Sequence, residues 1–355
     1  MSMKLWTIIF FLPMFFAVIL PAINVWRVDV NMQWNHPFHP DGYYIGFNER
    51  RQKTNYLASH APLPIDTLFL GSSRTTYIDP AWTGTDYGFN YGVSGGNYKD
   101  YEKYFTFAQS CSSEEIKNVW LELSFFQVLD SENKTFDDAN LCIDDAKNLN
   151  YKILTMFSND SIKLTDKHML EFNTTNVEKL SDAYTIKDGI FQSYKNKDKF
   201  WYDNNKEKHD AEIYRQLKVY DDMKFYKHQY DEQFAVRLKE LRSSLTGRNI
   251  IVYMPPVTTE FLKQSVDYDE LANRERFLRE AVDAFGEVWD FAYPNEITYD
   301  RENFQDAHHA KISTLKDMVK IIMEHNDINK QKYLVNKYNL EEHLQKVRQC
   351  MKEIP

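Results

Sequence analysis

Two short polar stretches, far apart in the chain, carry residue types that could perform covalent chemistry together. The first is a Gly-Ser-Ser turn that ends at Ser73 and follows an apolar run at residues 65–70. The second contains Asp306 and, three residues later, His309. A serine hydroxyl becomes a nucleophile at neutral pH when a base removes its proton, and an aspartate can orient a histidine for that task. Ser73, His309 and Asp306 therefore predict a nucleophile, a base and an orienting carboxylate.

Each stretch also holds a second residue of the same type. Ser72 precedes Ser73, and His308 precedes His309. The Asp-x-x-His spacing favours His309, because residues three apart in a turn can lie on one side of it and hold one imidazole tautomer. His308 is then interpreted as a neighbour in the loop. The residues alone leave the choice between the two serines open.

The surrounding sequence predicts an open α/β sheet that would bring the two stretches together. Predicted strands occupy residues 65–70, 87–91, 118–126, 249–254 and 287–291, and predicted helices occupy residues 98–109, 231–245, 269–285 and 310–324. Strands separated by helices indicate a mostly parallel sheet with helices on both faces. Ligands of such sheets bind beyond the carboxyl ends of the strands, where the serine turn lies. A glycine-rich loop at residues 92–97 could point backbone N–H groups at a developing negative charge.

Two other segments depart from this alternation. Residues from about 130 to 235 are rich in Asp, Lys, Asn and Tyr. We interpret them as a partly helical insertion that covers the strand ends. Aromatic residues between 191 and 202 could line a glycan groove or pack the insertion on the main body. Residues 326–355 predict a charged helical tail, docked or mobile, without a core of its own.

The N-terminus predicts a membrane-spanning helix. Residues 5–26 contain no charged side chain, and about 20 apolar residues suffice to cross a bilayer. Trp6 and Trp26 lie where an aromatic belt would place them. A cleaved signal peptide is the alternative, although its apolar core is usually shorter. We therefore expect an uncleaved anchor at residues 1–26, and a body at residues 27–325, with its tail, on one side of the membrane.

The amino-acid composition limits the kinds of partner and ligand that this chain is expected to bind. The 355 residues carry a formal net charge of −9, which argues against nucleic acid, because phosphate binding requires a basic face. We expect no cofactor and no metal site. His36, His39 and Asp41 could be ligands, but an irregular packed loop is the favoured interpretation. Three cysteines are too few for a disulfide framework, which leaves either one Cys111–Cys142 bridge or free thiols.

Three motifs together resemble those of the SGNH (GDSL-like) hydrolase superfamily. They are Gly71-Ser72-Ser73-Arg74, Asn90-Tyr91-Gly92-Val93-Ser94-Gly95-Gly96 and Asp306-Ala307-His308-His309, in the order of the family. The chain is most similar to the membrane-anchored branch that includes alginate O-acetyltransferase-type proteins and the teichoic acid D-alanyl transfer protein. The resemblance covers about residues 65–325 apart from the insertion. It implies a three-layer SGNH-like α/β fold.

The resemblance also implies residue roles. Ser73 aligns with the nucleophile, His309 with the base and Asp306 with its partner. The backbone N–H groups of Ser73 and Gly92 would be the oxyanion donors. The family's third motif is Gly-x-Asn, whose side chain completes the oxyanion hole, whereas this chain has Ser-Phe-Phe at residues 124–126. Asn97 is the substitute that the sequence offers.

The function implied by the resemblance is acyl transfer outside the cytoplasm, on a bacterial inner membrane. An acetyl or similar small acyl group would pass through an acyl-serine to a hydroxyl of a cell-surface polysaccharide. A multispanning membrane-bound O-acyltransferase is the implied partner that supplies the group. With water as acceptor, the same site would be a carbohydrate esterase. A non-catalytic glycan-binding or assembly protein is a further alternative, and it predicts that Ser73 and His309 lie well beyond hydrogen-bond distance.

Overall fold

The structure is a computed structural model that describes residues 3–36, 43–45, 48–130, 138–174, 183–187, 190–192, 205–222, 229–324 and 326–354. The strands are β1 (Tyr43–Ile45), β2 (Thr67–Gly71), β3 (Gly88–Gly92), β4 (Asn118–Glu122), β5 (Leu129–Asp130), β6 (Ala183–Lys187), β7 (Ile190–Gln192), β8 (Gln229–Tyr230), β9 (Asn249–Met254), β10 (Glu287–Asp290) and β11 (Leu334–Asn336). The helices are α1 (Met3–Val28), α2 (Glu49–His60), α3 (Tyr98–Cys111), α4 (Ala139–Lys147), α5 (Leu149–Met156), α6 (Asn159–Thr174), α7 (Lys206–Asp222), α8 (Phe234–Ser244), α9 (Thr259–Asp267), α10 (Leu271–Phe285), α11 (Ile312–Glu324), α12 (Asp327–Tyr333) and α13 (Leu340–Lys352).

The main sheet has the order β3-β2-β4-β9-β10-β11. Neighbouring strands from β3 to β10 are parallel, and β11 is antiparallel to β10. The expected α/β fold with a mostly parallel sheet is confirmed. In chain order its five parallel strands lie 2-1-3-4-5, the doubly wound order in which ligands bind where the chain changes direction, between the first and third strands. That position is the carboxyl end of β2, where the Gly-Ser-Ser turn begins.

The central strands consist of continuous apolar runs, because helices cover both faces of a parallel sheet. Leu68, Phe69 and Leu70 of β2 are fully buried, and the Phe69 ring stacks on Trp120 of β4 at 5.0 Å between centroids. Helix α10 buries side chains spaced one turn apart, such as Leu278 and Val282. The sheet is therefore a rigid platform for the loops at its edge.

Strand β4 is shorter than the predicted strand at residues 118–126. It ends at Glu122, and the chain then forms a 3₁₀ helix at Phe125–Val128. The Gln127 side chain accepts a hydrogen bond from the Ser124 N–H at 3.0 Å and fixes this turn. Local capping therefore ends a strand whose apolar pattern continues.

The insertion leaves and re-enters the main body at one place. Strand β5 pairs antiparallel with β8, so the two ends of the insertion meet. The described part between them contains α4 to α7, as well as β6 and β7, which form a small sheet with β1. The predicted helical insertion is therefore partly β. The aromatic side chains predicted to line a groove between residues 191 and 202 lie outside the described side chains.

The predicted tail at residues 326–355 was expected to be docked or mobile, and its described part is docked on the main body. Strand β11 lies in this segment and adds a sixth strand to the main sheet beside β10. Tyr333, Val335 and Leu344 belong to the main core, and the His343 ring lies 2.9 Å from the Asp290 carboxylate. The sequence suggested a separate tail because this strand is too short to show a pattern, and its apolar side chains find their partners only in the folded body.

Helix α1 is, among the described helices, the one that is long and apolar enough to cross a membrane, over Phe11–Val28. Its end is fixed to the body. Asp29 turns the chain, and its carboxylate accepts the N–H groups of Gln33 and Trp34, both at 2.8 Å. Helix α2 contacts the same turn after α1, because the Gln52 side chain donates a hydrogen bond to Val30 O at 2.8 Å.

The sequence left two alternatives open, a disulfide bridge between Cys111 and Cys142 and a metal site that includes His36. Cys111 and Cys142 are both buried, and they form no disulfide bridge. The His36 ring packs on Trp26 at 4.7 Å between centroids, and its Nε2 lies 2.8 Å from Trp26 O. His36 is thus part of the packing at the end of α1. His39 and Asp41, the other candidate ligands, lie outside the described residues.

Candidate active site

The loop after β2 and the loop before α11 bring the two polar stretches into contact. The Ser73 Oγ lies 2.7 Å from His309 Nε2, and His309 Nδ1 lies 2.8 Å from Asp306 Oδ2. Since the Asp306 carboxylate accepts the Nδ1 proton, Nε2 is the nitrogen that can accept the serine proton. Ser73 and His309 are both partly exposed, although their neighbours in each loop are buried. A reactant can therefore reach this pair.

The Asp306 carboxylate is held in its ionised form. Burial by itself would raise the pKa of this group, but the adjacent imidazoles and several hydrogen bonds outweigh burial and hold the pKa well below its usual range. Its Oδ1 accepts the backbone N–H groups of His308 and His309, both at 2.9 Å. The carboxylate thus fixes the loop and the ring together.

Backbone hydrogen bonds close the histidine loop. The Gln305 N–H donates to His309 O at 2.8 Å. The Thr258 hydroxyl, just before α9, donates to Ala307 O at 2.9 Å. The loop that carries His309 is therefore positioned by its own turn and by Thr258.

Only glycine fits at the end of β2. A Cβ at Gly71 would lie 1.9 Å from Thr75 Oγ1 and 2.7 Å from Glu122 Oε2. Such distances are far below van der Waals contact, so the absence of a side chain lets the chain turn tightly against β4. This turn presents Ser73 at the sheet edge.

Ser72 has a different task from Ser73. It is buried, and its hydroxyl donates to Glu122 Oε1 at 2.6 Å. It does not face the imidazole, because its side chain points back to β4. The structure therefore distinguishes the two serines that the residues alone left open.

Glu122 is a functional residue that the sequence reasoning missed. It is completely buried at the end of β4. Its carboxylate accepts the Ser72 N–H at 2.7 Å, the Thr75 hydroxyl at 2.6 Å and the Ser124 hydroxyl at 2.7 Å, in addition to the Ser72 hydroxyl. The signal that could have revealed it is a carboxylate within the apolar run of β4, since a buried charge needs hydrogen-bond partners. Glu122 anchors the turn that carries Ser73.

His308 packs against the His309 ring. Its ring centroid lies 4.0 Å from that of His309, and its Nε2 lies 3.3 Å from the Tyr220 hydroxyl of α7. Its backbone carbonyl accepts the Arg74 Nε–H at 2.9 Å. The Arg74 guanidinium also stacks 4.2 Å from the centroid of the Phe126 ring. These contacts join Arg74, the residue after Ser73, to the loop that carries His309.

Two candidate oxyanion donors, Gly92 from the resemblance and Asn97 from the sequence, already have other hydrogen-bond partners. The Gly92 N–H donates to Asn90 Oδ1 at 2.8 Å. Asn97 caps α3, where it accepts the Lys99 N–H at 3.1 Å, and it donates to Gln127 O at 3.1 Å. The geometry thus gives both groups structural partners and does not support the expected roles. The Ser73 N–H, in contrast, has no acceptor within the described part of the chain.

The described residues also include one cluster with the spacing of metal ligands. Ligand atoms of Asp306, His308 and His309 all lie within 4.8 Å of one another. Two of these groups bond each other, and His309 Nε2 also contacts Ser73. A cation would therefore have to displace the hydrogen bonds that orient the imidazole.

Comparison of the chain with protein-family models, with curated proteins and with solved structures finds no match. We therefore infer a function from the geometry of the site.

His308 predicts a loss of stability in acid. Burial, chiefly, lowers its pKa well below the usual value, so it is neutral in the folded chain and binds a proton on unfolding below about pH 6.5. The unfolded state then binds more protons than the folded state. As the pH decreases, the free energy of unfolding therefore decreases by up to about 1.4 kcal/mol per pH unit for this group.

Replacing His308 by glutamine should remove that contribution. Urea unfolding of the full chain in detergent, followed by tryptophan fluorescence between pH 6.5 and 5, would measure the slope. The variant should show the shallower dependence. Equal slopes in both proteins would mean that His308 does not titrate in this way.

Proposed function

We propose that this chain is a serine O-acyltransferase with an SGNH-type site. It would move an acetyl or similarly small acyl group to a hydroxyl of a cell-surface polysaccharide. The observation that carries this proposal is the contact of 2.7 Å between the Ser73 Oγ and His309 Nε2, with Asp306 on the far side of the ring. A glycan-binding protein would need no such alignment, so the distance favours catalysis over the non-catalytic alternative.

The first half of the reaction forms an acyl-serine. His309 Nε2 takes the Ser73 proton while the Oγ attacks the carbonyl carbon of the acyl donor. The Ser73 N–H is the donor available to the oxyanion of the tetrahedral intermediate. His309 then gives its proton to the leaving oxygen, and the bond between that oxygen and the carbonyl carbon breaks. The ionised Asp306 stabilises the imidazolium during these steps.

The second half transfers the group. His309 takes a proton from the incoming sugar hydroxyl, whose oxygen attacks the acyl-serine, and the serine oxygen leaves with the proton returned by His309. If water attacks instead, the same steps make the protein a carbohydrate esterase. Because both reactions share one acyl-enzyme, the choice depends on which acceptor occupies the site.

The apolar helix α1 supports a location at a membrane. We propose that it is an uncleaved single-pass anchor in a bacterial inner membrane, with the body on the extracytoplasmic side. A multispanning membrane-bound O-acyltransferase would then be a suitable donor partner, because the acyl group must cross the membrane to reach Ser73.

Transferase and esterase can be separated by following the acyl group. The full chain in detergent would be given a radiolabelled acetyl ester with and without de-O-acetylated bacterial surface polysaccharides. Label in the polysaccharide, absent with Ser73→Ala, supports the transferase. Release of labelled acetate alone, at the same rate with every polysaccharide, supports the esterase.

Replacing Asp306 by asparagine should reduce ester hydrolysis about 10³- to 10⁴-fold, because the imidazole loses the partner that fixes its tautomer. The change is nearly isosteric, so the chain should still fold. The measurement is hydrolysis of a chromogenic acetyl ester. Asp283→Asn, at an exposed ion pair on α10, is the matched control and should hydrolyse the ester as wild type does. An Asp306→Asn variant with the rate of this control would remove Asp306 from the mechanism.

A further inference from the structure

The body of the protein begins close to where a membrane would end. Within the described side chains of α1, burial begins at Ala22, and the residues before it are largely exposed. The uncharged part of α1 that precedes Ala22, residues 5–21, is about 25 Å long at the usual helical rise. That length is close to a hydrocarbon core of about 30 Å, with Lys4 at its far boundary. Whatever packs against α1 from Ala22 onward therefore lies at the membrane surface.

Helices α5 and α6 of the insertion both contact α1. Helix α6 runs antiparallel to the end of α1, since Asn31 lies 3.4 Å from the Ser161 hydroxyl and Asn24 lies 3.2 Å from the Met169 sulfur. The carboxyl end of α6 consequently points toward the membrane. Leu170 follows Met169, at the level where α1 leaves the body.

These two helices expose large apolar side chains. Leu154 is 70 % exposed, Leu170 63 % and Leu149 59 %, and Ile153 and Phe157 are also exposed. We call these five residues the α5–α6 apolar surface. Single exposed apolar residues are ordinary, but a group of them marks a binding surface. This group lies beside the helix that is apolar enough to enter lipid.

We propose that the α5–α6 apolar surface inserts into the interfacial layer of the same bilayer that α1 crosses. Its occupant is lipid, at the boundary between headgroups and acyl chains, where apolar side chains of surface helices are buried. The inference deepens the proposed function and requires the anchor in it. Because both α1 and the α5–α6 apolar surface would then contact the bilayer, the body would be held in one orientation instead of rotating about the end of α1. The height and direction of the Ser73 site above the membrane would then be fixed.

Fluorescent labels at single cysteines would test this in the full chain reconstituted into lipid nanodiscs. Bimane would be attached at Leu154→Cys or Leu170→Cys in a Cys350→Ser background, because Cys111 and Cys142 are buried. Ile328→Cys, 74 % exposed on α12, is the matched control. Phe16→Cys on α1 reports whether the anchor is inserted. Lipids with nitroxides on their acyl chains would quench any label in contact with them.

The labels at Leu154 and Leu170 should show blue-shifted emission and lose fluorescence to the nitroxide lipids, as the Phe16 label does, whereas the Ile328 label should not. Labels at Leu154 and Leu170 that behave like Ile328, beside a quenched Phe16 label, would overturn the proposal and leave a protein partner as the occupant. An unquenched Phe16 label would remove its premise. Ester hydrolysis by the same samples depends on Ser73 and not on lipid contact, so failure of the proposed enzyme would be seen separately.

Discussion

Replacing Ser73 by alanine is expected to lower the rate of ester hydrolysis by the full chain at least about 10³-fold. The variant loses the Oγ atom that lies 2.7 Å from His309 Nε2, and the remaining site can do no more than bind and polarise the ester. Hydrolysis of a chromogenic acetyl ester by the full chain in detergent measures the loss. Ser73 is partly exposed, so the substitution should leave the unfolding curve in urea nearly unchanged.

Ser72→Ala is the matched control for this prediction. It removes the hydroxyl that donates to Glu122 and should cost about 1–3 kcal/mol in the free energy of unfolding. Its rate should nevertheless remain far above that of Ser73→Ala. The reverse result, with Ser72→Ala inactive and Ser73→Ala active, would make Ser72 the nucleophile.

The second large effect is expected at Glu122, whose replacement by alanine should lower the free energy of unfolding by about 3 kcal/mol or more. The change leaves the Ser72 N–H and the hydroxyls of Thr75 and Ser124 buried without their acceptor. Each unpaired buried donor costs about 1–3 kcal/mol, although hydroxyls can turn to other acceptors. The rate of ester hydrolysis should fall too, because Glu122 holds the turn that presents Ser73. Urea unfolding followed by tryptophan fluorescence measures the stability.

Two further variants serve as comparisons for Glu122→Ala. Glu122→Gln keeps the shape and one acceptor oxygen, and its loss should lie between that of wild type and alanine. Glu115→Ala removes an exposed carboxylate and should change stability by no more than about 0.5 kcal/mol. If Glu122→Ala were as stable as Glu115→Ala, the buried carboxylate would not be an anchor of the turn.

Much of the fold can be predicted from the sequence, because the apolar pattern of each main strand and helix indicates which of its faces are buried. An apolar run such as the one at residues 249–254, placed between predicted helices, indicates a strand of a covered sheet, and β9 has these bounds. The Gly-Ser-Ser turn follows such a run, and parallel strands place all their carboxyl ends at one edge. The Asp-x-x-His spacing is equally local. These signals suffice to expect Ser73 and His309 in one place.

The rest depends on contacts between distant segments. In the sequence, Glu122 is a charged residue at an apolar strand with no evident partner. In the fold, Ser72, 50 residues away, donates hydrogen bonds to its carboxylate. Gly92 looks like an oxyanion donor until Asn90 takes its N–H. Strand β11 is too short to show alternation and exists because β10 offers a free edge. No local pattern encodes these choices, since each is decided by a partner that folding brings near.

The most direct test of an activated serine needs neither the natural donor nor the acceptor. The full chain in detergent would be treated with a fluorophosphonate, which bonds to a serine oxygen only when a base takes its proton, and the adduct would be located by peptide mass spectrometry. We expect a single adduct on Ser73, formed much more slowly in Asp306→Asn and absent in Ser73→Ala. A folded wild-type protein that forms no adduct, or forms it at another residue, would contradict the account.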